Sequence, residues 1–395
     1  MVTHRFLELF PRMVGQAYSL RAHGCSISTL ATGLVQYSVI SADNLGLVII
    51  WDTKTRRPRV KWQAHQETIL TVKQISEKLV LTQLRDSLVK FWNVLESPPK
   101  EVFELPINSL NFCNVWYHEG YLFTPASVDS NKFDLYLIDD EMEFSRILAA
   151  ICPHSLYMGQ DEVPIDIHRI DDSAETDPTG ARNDFGIIMR MFYVPETSNL
   201  FLGFESGHVM GVHVDLHQKS ATVFYCESVH SPNPVMSLGY VENCIISGST
   251  NNKIFVHDIQ ASSKHTRRIR LGHSGIQTLL IDPVTTNFLT LGFWDGSIQQ
   301  IDWKESSPEP RFLLQRQVPR VDVTTTNTTS VNAQETSSLK EAIKLTAMTY
   351  LDPQSLKCET STKKSYRDII KNKAMNAVPM LFAGYEDGTI IAYTT

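Results

Sequence analysis

A hairpin pattern recurs along the whole chain, and this repeat constrains the fold more than any other feature. Each copy has a turn, a β-rich run and often an aspartate seven positions after the turn, as in Asp86–Asn93, Asp295–Asp302 and Asp387–Thr394. The turns fall at positions 45, 86, 132, 206, 251, 295 and 387, so successive gaps are 41, 46, 74, 45, 44 and 92 residues. Four of these six gaps match a period of about 40–45 residues, which indicates repeated copies of one small unit.

A second spacing supports the repeat. His23, His65, His230 and His273 precede their turns by 22, 21, 21 and 22 residues. Gly or Asn relieves a left-handed hairpin turn, and alternating apolar residues bury one face of each strand. The two spacings together predict an all-β fold, a seven-bladed WD40 β-propeller that forms one domain over residues 1–395.

The repeated histidines and aspartates are predicted to hold the blades together. A histidine bound to a turn aspartate could form a catalytic dyad, but four copies around a ring indicate a structural bond. The predicted structural blade residues are His23, His65, Asp86, His230, His273, Asp295 and Asp387. His213 and His217 have the i, i+4 spacing of metal ligands on a helix, but His213 lies on a predicted strand. We therefore expect no catalytic residue, no metal and no cofactor.

Net charge and cysteine usage narrow the range of partners. The net charge of −7 at pH 7 argues against broad binding to nucleic acid or anionic membranes, which need clustered Lys and Arg. The six cysteines are scattered without a C-x-x-C pair, and nowhere do about 18 apolar residues occur in a row. We expect a soluble intracellular protein with protein partners and no direct contact to nucleic acid or membrane.

The last repeat needs a strand from elsewhere in the chain. It ends at Tyr393 with only three strands, whereas the strand-like run Ala17–Ala22 precedes the first blade. Pairing of this run with Thr389–Tyr393 would remove two open strand edges. The N-terminal strand is therefore predicted to complete the last blade and close the ring.

Three insertions are predicted, at about 155–186, 320–340 and 353–378. The first contains Asp161–Asp184, which carries eight acidic residues against two arginines. It is either a solvated loop or an acidic arm that docks on a basic surface. In the third, Ser365–Lys373 could form a short helix, either as a binding element or as part of a solvated loop.

The residue just before each turn is expected at the rim of one end of the propeller, where neighbouring blades share a surface. The candidate partner-binding residues are Asn44, Arg85, Glu205, Thr250, Trp294 and Glu386. Aromatic and Arg residues dominate binding hot spots, so Trp294 and Arg85 are the strongest candidates. The alternative for Trp294 is ordinary packing within its blade.

Five segments carry a resemblance to a known family, and they are Leu20–His23, Ser41–Asp52, Gly275–Ile276, Leu291–Gly296 and Ala383–Thr389. They resemble the WD-repeat ASTRA-associated proteins of fungi, whose animal relative is a G-protein-β-like WD protein. The resemblance extends from end to end. Most of these motifs identify only a propeller, while the opening segment and the stretch in the sixth blade point to this family.

The resemblance implies a non-catalytic scaffold subunit of the ASTRA assembly. The implied partners are the Tel–Tti adaptor proteins, Rvb-type AAA+ ATPases and a very large PI3-kinase-like pseudokinase. It also implies a role in the maturation of PI3-kinase-like kinases, a link to chromatin regulation, and residence in the nucleus with a share in the cytoplasm.

Other functions are weighed against the scaffold. A WD40 reader of histone or other basic peptides would need acidic residues and an aromatic cage at one end, for which Glu205, Trp294 and Glu386 form a partial set. A substrate receptor for ubiquitin transfer would co-purify with a ligase adaptor. An enzyme is disfavoured, since the sequence contains no G-x-S-x-G, P-loop or H-E-x-x-H motif.

Overall fold

A computed structural model shows how the repeats assemble. It describes residues 14–35, 37–85, 87–108, 112–139, 143–159, 184–259, 265–316, 343–351 and 379–394. These ranges consist almost entirely of strands arranged as a seven-bladed β-propeller, which confirms the predicted fold. The predicted insertions lie largely outside the described residues, as do Ser365–Lys373 and Asp86. None of the described helices is long and apolar enough to cross a membrane.

Each blade is a four-stranded antiparallel sheet, and the first six blades use consecutive strands. The first strand of the chain, β1 (Gly15–Arg21), precedes blade 1. Blade 1 contains β2 (Ile27–Thr32), β3 (Ser38–Asp43), β4 (Leu47–Asp52) and β5 (Arg57–Gln63). Blade 2 contains β6 (Ile69–Gln74), β7 (Leu79–Leu84), β8 (Leu88–Asn93) and β9 (Lys100–Pro106). Blade 3 contains β10 (Trp116–His118), β11 (Tyr121–Pro125), β12 (Phe133–Ile138) and β13 (Phe144–Ile151).

The next three blades follow the same order after a short helix, α1 (Pro153–Tyr157). Blade 4 contains β14 (Ile188–Val194), β15 (Asn199–Phe204), β16 (His208–Asp215) and β17 (Ser220–Ser228), with a 3₁₀ turn at Pro195–Thr197. Blade 5 contains β18 (Val235–Val241), β19 (Cys244–Ser249), β20 (Lys253–Asp258) and β21 (His265–Arg270). Blade 6 contains β22 (Ile276–Ile281), β23 (Phe288–Phe293), β24 (Ser297–Asp302) and β25 (Phe312–Gln315).

Blade 7 combines strands from both ends of the chain. It contains β26 (Leu345–Leu351), β27 (Met380–Tyr385) and β28 (Thr389–Thr394), and β1 is its outermost strand. β1 pairs antiparallel with β28, with Gly15 opposite Thr394 and Arg21 opposite Thr389. The predicted closure of the ring by an N-terminal strand is confirmed.

The predicted turns lie at the same position in their blades. Each lies between the second and the third strand of its blade, except that position 86 is outside the described residues. The repeat in the sequence therefore marks the same hairpin in every blade.

The hydrophobic core lies in the seams between blades. Alternate side chains of a strand point to opposite faces of the sheet, so each blade offers apolar residues to both neighbours. In the seam between blades 7 and 1, Leu20 of β1 packs with Ile27 and Trp51 of blade 1 and with Phe382 and Ile390 of blade 7. The N-terminal strand therefore contributes to the core as well as to the sheet.

Blades approach each other closely at a glycine in the next-to-last position of the second strand. Four blades have this residue, as Gly203, Gly248, Gly292 and Gly384. A Cβ atom on Gly384 would lie 2.6 Å from Ile27, the first residue of β2 in the adjacent blade. A side chain here would push the two blades apart, so the repeated glycine sets their spacing.

In blades 1 to 6 the first strand in chain order is the innermost, and in blade 7 the innermost strand is β26. The seven innermost strands, β2, β6, β10, β14, β18, β22 and β26, surround the central channel.

Candidate interaction surface

The six predicted surface residues lie directly after the second strand of their blades. Five of them donate a main-chain N–H to the carbonyl just before the innermost strand of the same blade, each at 3.0 Å, and these are Asn44, Arg85, Glu205, Trp294 and Glu386. The side chains of these five are exposed, and Thr250 is partly exposed. The shared geometry places all six at one end of the propeller, which we call the candidate face.

Trp294 has a fixed and open position on this face. Its side chain is 41% exposed, and its Nε1 donates to Oε1 of Gln277 at 2.8 Å. The ring lies against Gly275, where an added Cβ would come 2.5 Å from it. The adjacent Phe293 is fully buried between blades 5 and 6, so Phe293 fills the core position. Because its ring is held in place before binding, Trp294 loses little conformational freedom when a partner covers it.

Arg85 forms a second aromatic contact on the candidate face. Its guanidinium lies 4.9 Å from the ring centroid of Phe112, within the range of a cation–π interaction. Phe112 is 43% exposed and lies in the connection between blades 2 and 3. The two side chains together present a flat surface of mixed apolar and cationic character.

The two acidic residues of the set are attached to their own blades. Oε2 of Glu205 accepts a hydrogen bond from the main-chain N–H of Ile187 at 3.4 Å, and Oε1 of Glu386 accepts one from Lys344 at 2.9 Å. These bonds occupy part of the capacity of each carboxylate to accept hydrogen bonds. The pair is less available to a basic ligand than the sequence alone suggests.

Large apolar side chains are concentrated at this end. Half of the twelve that are exposed in the described part of the chain lie here, and these are Leu45, Phe112, Val128, Tyr157, Met158 and Trp294. In an antiparallel blade the turn after the second strand and the connection to the next blade lie at the same end, which is why loops distant in sequence share this end. Exposed apolar groups of this kind mark protein interaction sites. The sequence analysis selected only Trp294, because it considered the residue before each turn. Leu45 occupies a turn position, and the other four lie outside the repeat.

Blade 1 contains a histidine with the neighbours of a hydrolase triad. His23 Nε2 lies 2.6 Å from Ser41 Oγ, and its Nδ1 lies 2.7 Å from Asp43 Oδ2. The Ser41 hydroxyl also accepts a hydrogen bond from Trp51 Nε1 at 2.7 Å, and Ser41 is fully buried. No substrate can reach this hydroxyl, so the network joins strands within the blade.

The Asp43 carboxylate of this network is held in its charged form. Burial alone would raise its pKa, but the hydrogen bond from His23 and those from the main-chain N–H groups of Leu47 and Leu45 outweigh burial. The pKa of Asp43 is therefore below its usual value, and the charged carboxylate makes the bond to His23 charge-assisted.

Blade 2 contains a similar network, but its turn aspartate, Asp86, lies outside the described residues. His65 Nε2 lies 2.7 Å from Thr82 Oγ1, which also accepts a hydrogen bond from Trp92 Nε1 at 2.9 Å. Burial, with a smaller contribution from the positive charge of Lys90, lowers the pKa of His65 to about 4. The imidazole is therefore neutral at pH 7.

Blade 5 replaces the tryptophan with a second histidine. His230 Nε2 and His257 Nε2 lie 2.8 and 2.7 Å from the hydroxyl of Ser247. Burial, followed by the effect of His257, lowers the pKa of His230 to about 3. Both predicted histidines of blades 2 and 5 are thus internal hydrogen-bonding groups.

The predicted structural aspartates have different partners in different blades. His273 Nδ1 lies 2.6 Å from Asp295 Oδ2, as expected for a histidine and its turn aspartate. Asp387 instead forms a bidentate ion pair with Arg316 of blade 6. Nη1 of Arg316 lies 2.7 Å from Oδ1 of Asp387, and Nη2 lies 2.5 Å from Oδ2. Asp86 lies outside the described residues.

Blade 3 uses an ion pair with a buried carboxylate that the sequence analysis did not find. Asp134 is fully buried, and both of its carboxylate oxygens lie 2.7 Å from Nη2 of Arg146. The main-chain N–H of Ala150 donates to the same carboxylate at 2.6 Å. Asp134 follows the predicted turn at 132 by two residues, and the partner Arg146 has no counterpart in the repeat.

Among the described residues, no group of three or more His, Cys, Asp or Glu is placed to hold a metal ion. His213 lies on β16, with Nδ1 3.1 Å from Oδ1 of Asn199, and His217 follows the end of that strand.

Comparison with known proteins agrees with the resemblance seen in the sequence. The family model of ASTRA-associated protein 1 matches residues 16–393. ASTRA-associated protein 1 of Scheffersomyces stipitis is 37% identical over an alignment that covers 96% of this chain and 98% of the relative. The proteins of that name from Lodderomyces elongisporus and Candida tropicalis are 34% and 32% identical, each over 96% of this chain, and the alignments cover 97% and 99% of the relatives. This chain belongs to the ASTRA-associated protein 1 family.

Proposed function

We propose that this protein is a non-catalytic scaffold subunit of the ASTRA complex and that its candidate face binds other subunits. The observation that carries the proposal is that half of the exposed large apolar side chains of the described residues lie at one end, with the anchored ring of Trp294 among them. The name of the relatives adds support, since it describes them as ASTRA-associated. The buried position of the triad-like Ser41 favours a structural role over catalysis.

We infer the identity of the partners from the family. They are the Tel–Tti adaptor proteins, Rvb-type AAA+ ATPases and a PI3-kinase-like pseudokinase. Through them the protein supports the maturation of PI3-kinase-like kinases and chromatin regulation, mainly in the nucleus. An apolar and aromatic contact surface fits protein partners better than nucleic acid or a membrane.

The channel disfavours the alternative function as a reader of basic peptides. A basic peptide needs carboxylates along its path, yet none of the seven innermost strands carries Asp or Glu. Two of them carry a cation, Lys73 and Arg190.

The proposal is tested by replacing two residues of the candidate face with alanine. Tagged wild-type protein and the double variant Arg85→Ala with Trp294→Ala are purified from cells, and partner recovery is quantified by mass spectrometry. If both residues are hot spots, binding weakens by about 2–4 kcal/mol and most partner signal is lost. The matched control, Leu95→Ala with Arg268→Ala, removes one exposed apolar side chain and one exposed arginine away from the candidate face.

We expect the control variant to recover partners like the wild type and both variants to unfold at the wild-type temperature. Wild-type recovery by a folded Arg85 and Trp294 variant would exclude the candidate face. Recovery of nucleosomes or a ligase adaptor, without ASTRA components, would favour one of the other functions.

A further inference from the structure

The described strands that form the wall of the central channel carry positively charged side chains but no Asp or Glu. Lys73 on β6 and Arg190 on β14 are the only Lys, Arg, Asp or Glu residues on the seven innermost strands. This contrasts with the net charge of −7 of the whole chain. The channel is therefore electrostatically distinct from the outer surface.

Arg190 connects two innermost strands, and most of its N–H donors have no hydrogen-bond partner among the described residues. Its Nε donates to the carbonyl of Met236 on β18 at 2.6 Å. Among the described residues no carboxylate forms an ion pair with it, and burial lowers the pKa of its guanidinium. Each guanidinium has five N–H donors, so most of its binding capacity is left for a group in the channel.

Lys73 occupies a similar place two blades away. Its Nζ donates to the carbonyl of Tyr117 on β10 at 2.5 Å and lies 5.4 Å from the ring centroid of Trp116. Burial lowers the pKa of this ammonium as well, and no described carboxylate compensates for it. The aromatic ring replaces only part of the hydration that the charge has lost.

Both cations are half-buried, and a charge that loses part of its hydration without gaining a counter-ion destabilises a fold. A neutral residue such as Gln could make the same hydrogen bond to a main-chain carbonyl at a lower cost in desolvation. Two uncompensated cations on one channel wall are explained if a ligand supplies the negative charges.

The two cations lie at different depths. Arg190 is opposite Gly203, the next-to-last residue of β15, and is therefore close to the candidate face. Lys73 is opposite Leu81, which lies two residue levels further from that face. At about 3.3 Å per residue the difference is roughly 7 Å, which equals the spacing of alternate side chains in an extended peptide.

We propose that the central channel binds an extended acidic segment of a protein partner, which enters from the candidate face and places alternate carboxylates near Arg190 and Lys73. The use of this site in the cell rests on the proposed scaffold role. The chemistry of the site is independent of that role, because the cations belong to the channel and not to the candidate face.

The experiment measures binding of a fluorescein-labelled oligoglutamate peptide to the full-length protein by fluorescence anisotropy. The test variant combines Lys73→Gln with Arg190→Gln. The control combines Arg57→Gln with Arg59→Gln, two exposed residues on the outermost strand β5, and causes the same change in net charge. We expect the channel variant to lose affinity by about tenfold or more and the control to change by less than about twofold.

Thermal unfolding separates binding from a structural role. Gln retains an N–H donor for each main-chain carbonyl and removes the half-buried charge, so the channel variant is expected to unfold at the wild-type temperature or above it. Arg190→Lys keeps a positive charge and is expected to bind the peptide within about threefold of the wild type. A large fall in the unfolding temperature of the Gln variant would assign the cations to the fold and overturn the proposal.

Three other results would overturn it. They are the absence of peptide binding by the wild type, equal loss of affinity in the control, and displacement of the peptide by a single-stranded oligonucleotide as effectively as by unlabelled oligoglutamate. No ASTRA component is present in this assay, so its failure leaves the scaffold proposal intact. Conversely, Trp294→Ala should retain peptide binding even where it loses partners from cells.

Discussion

At the scale of single residues, the buried histidines couple stability to pH. Burial lowers the pKa of His65 to about 4, whereas an unfolded chain has a histidine pKa of about 6.5. Between these values the unfolded state binds one more proton than the folded state, so stability decreases as the pH falls, by at most about 1.4 kcal/mol per pH unit. Above about pH 6.5 both states are neutral at this residue and the dependence disappears.

The variant His65→Gln tests this coupling. Gln can still donate to the hydroxyl of Thr82 but does not titrate, so urea unfolding should show a smaller loss of stability between about pH 7 and pH 5 than in the wild type. The exposed His213→Gln serves as the control and should keep the wild-type dependence. Equal pH dependence in the wild type and His65→Gln would show that His65 does not remain neutral in the fold.

The residues differ in how far the sequence could identify them. The histidines were recognisable because their spacing repeats with the blades. Arg190 and Lys73 were not, since their meaning depends on contacts with Met236 and Tyr117, which lie 46 and 44 residues away in the adjacent innermost strands. A periodic pattern identifies residues that recur in successive blades, but it does not identify residues that occur in only one blade.

At the scale of elements, β1 is the strand on which the closed ring depends. Deletion of residues 1–22 removes Leu20 from the seam between blades 7 and 1 and exposes the edge of β28. Loss of a buried Leu side chain alone costs about 2–5 kcal/mol, and the open edge adds to this. We expect a marked fall in the midpoint of chemical unfolding.

Deletion of residues 1–13 is the matched control, because it leaves β1 in place, and we expect it to unfold close to the wild-type midpoint. A wild-type midpoint after deletion of residues 1–22 would show that β1 adds nothing to the stability of the ring.

The pairing of the two terminal strands was predictable because the last blade lacks a fourth strand of its own. The run Ala17–Ala22 was expected to pair with Thr389–Tyr393, and the observed strands, β1 and β28, begin and end within two residues of these limits. The ion pair of Asp134 and Arg146 was not predictable, since blade 3 replaces the histidine network with a different solution to the same burial of polar groups.

At the scale of the whole molecule, the ring separates three kinds of surface. Apolar seams hold the blades together, one end displays exposed aromatic and aliphatic groups, and the channel wall carries two cations. The number of blades followed from the period of the sequence. The apolar character of one end was only partly predictable, because four of its six exposed apolar residues come from loops that the period does not describe.

The central claim is that partners in the assembled complex cover the candidate face. Hydroxyl-radical footprinting of the wild-type protein, free and in the complex purified from cells, tests this without any substitution. We predict that Trp294, Phe112 and Tyr157 lose reactivity in the complex while Leu95 and Val284, exposed at the opposite end, keep it. Protection of Leu95 and Val284 with full reactivity of Trp294 would contradict the claim and place the contact at the other end of the propeller.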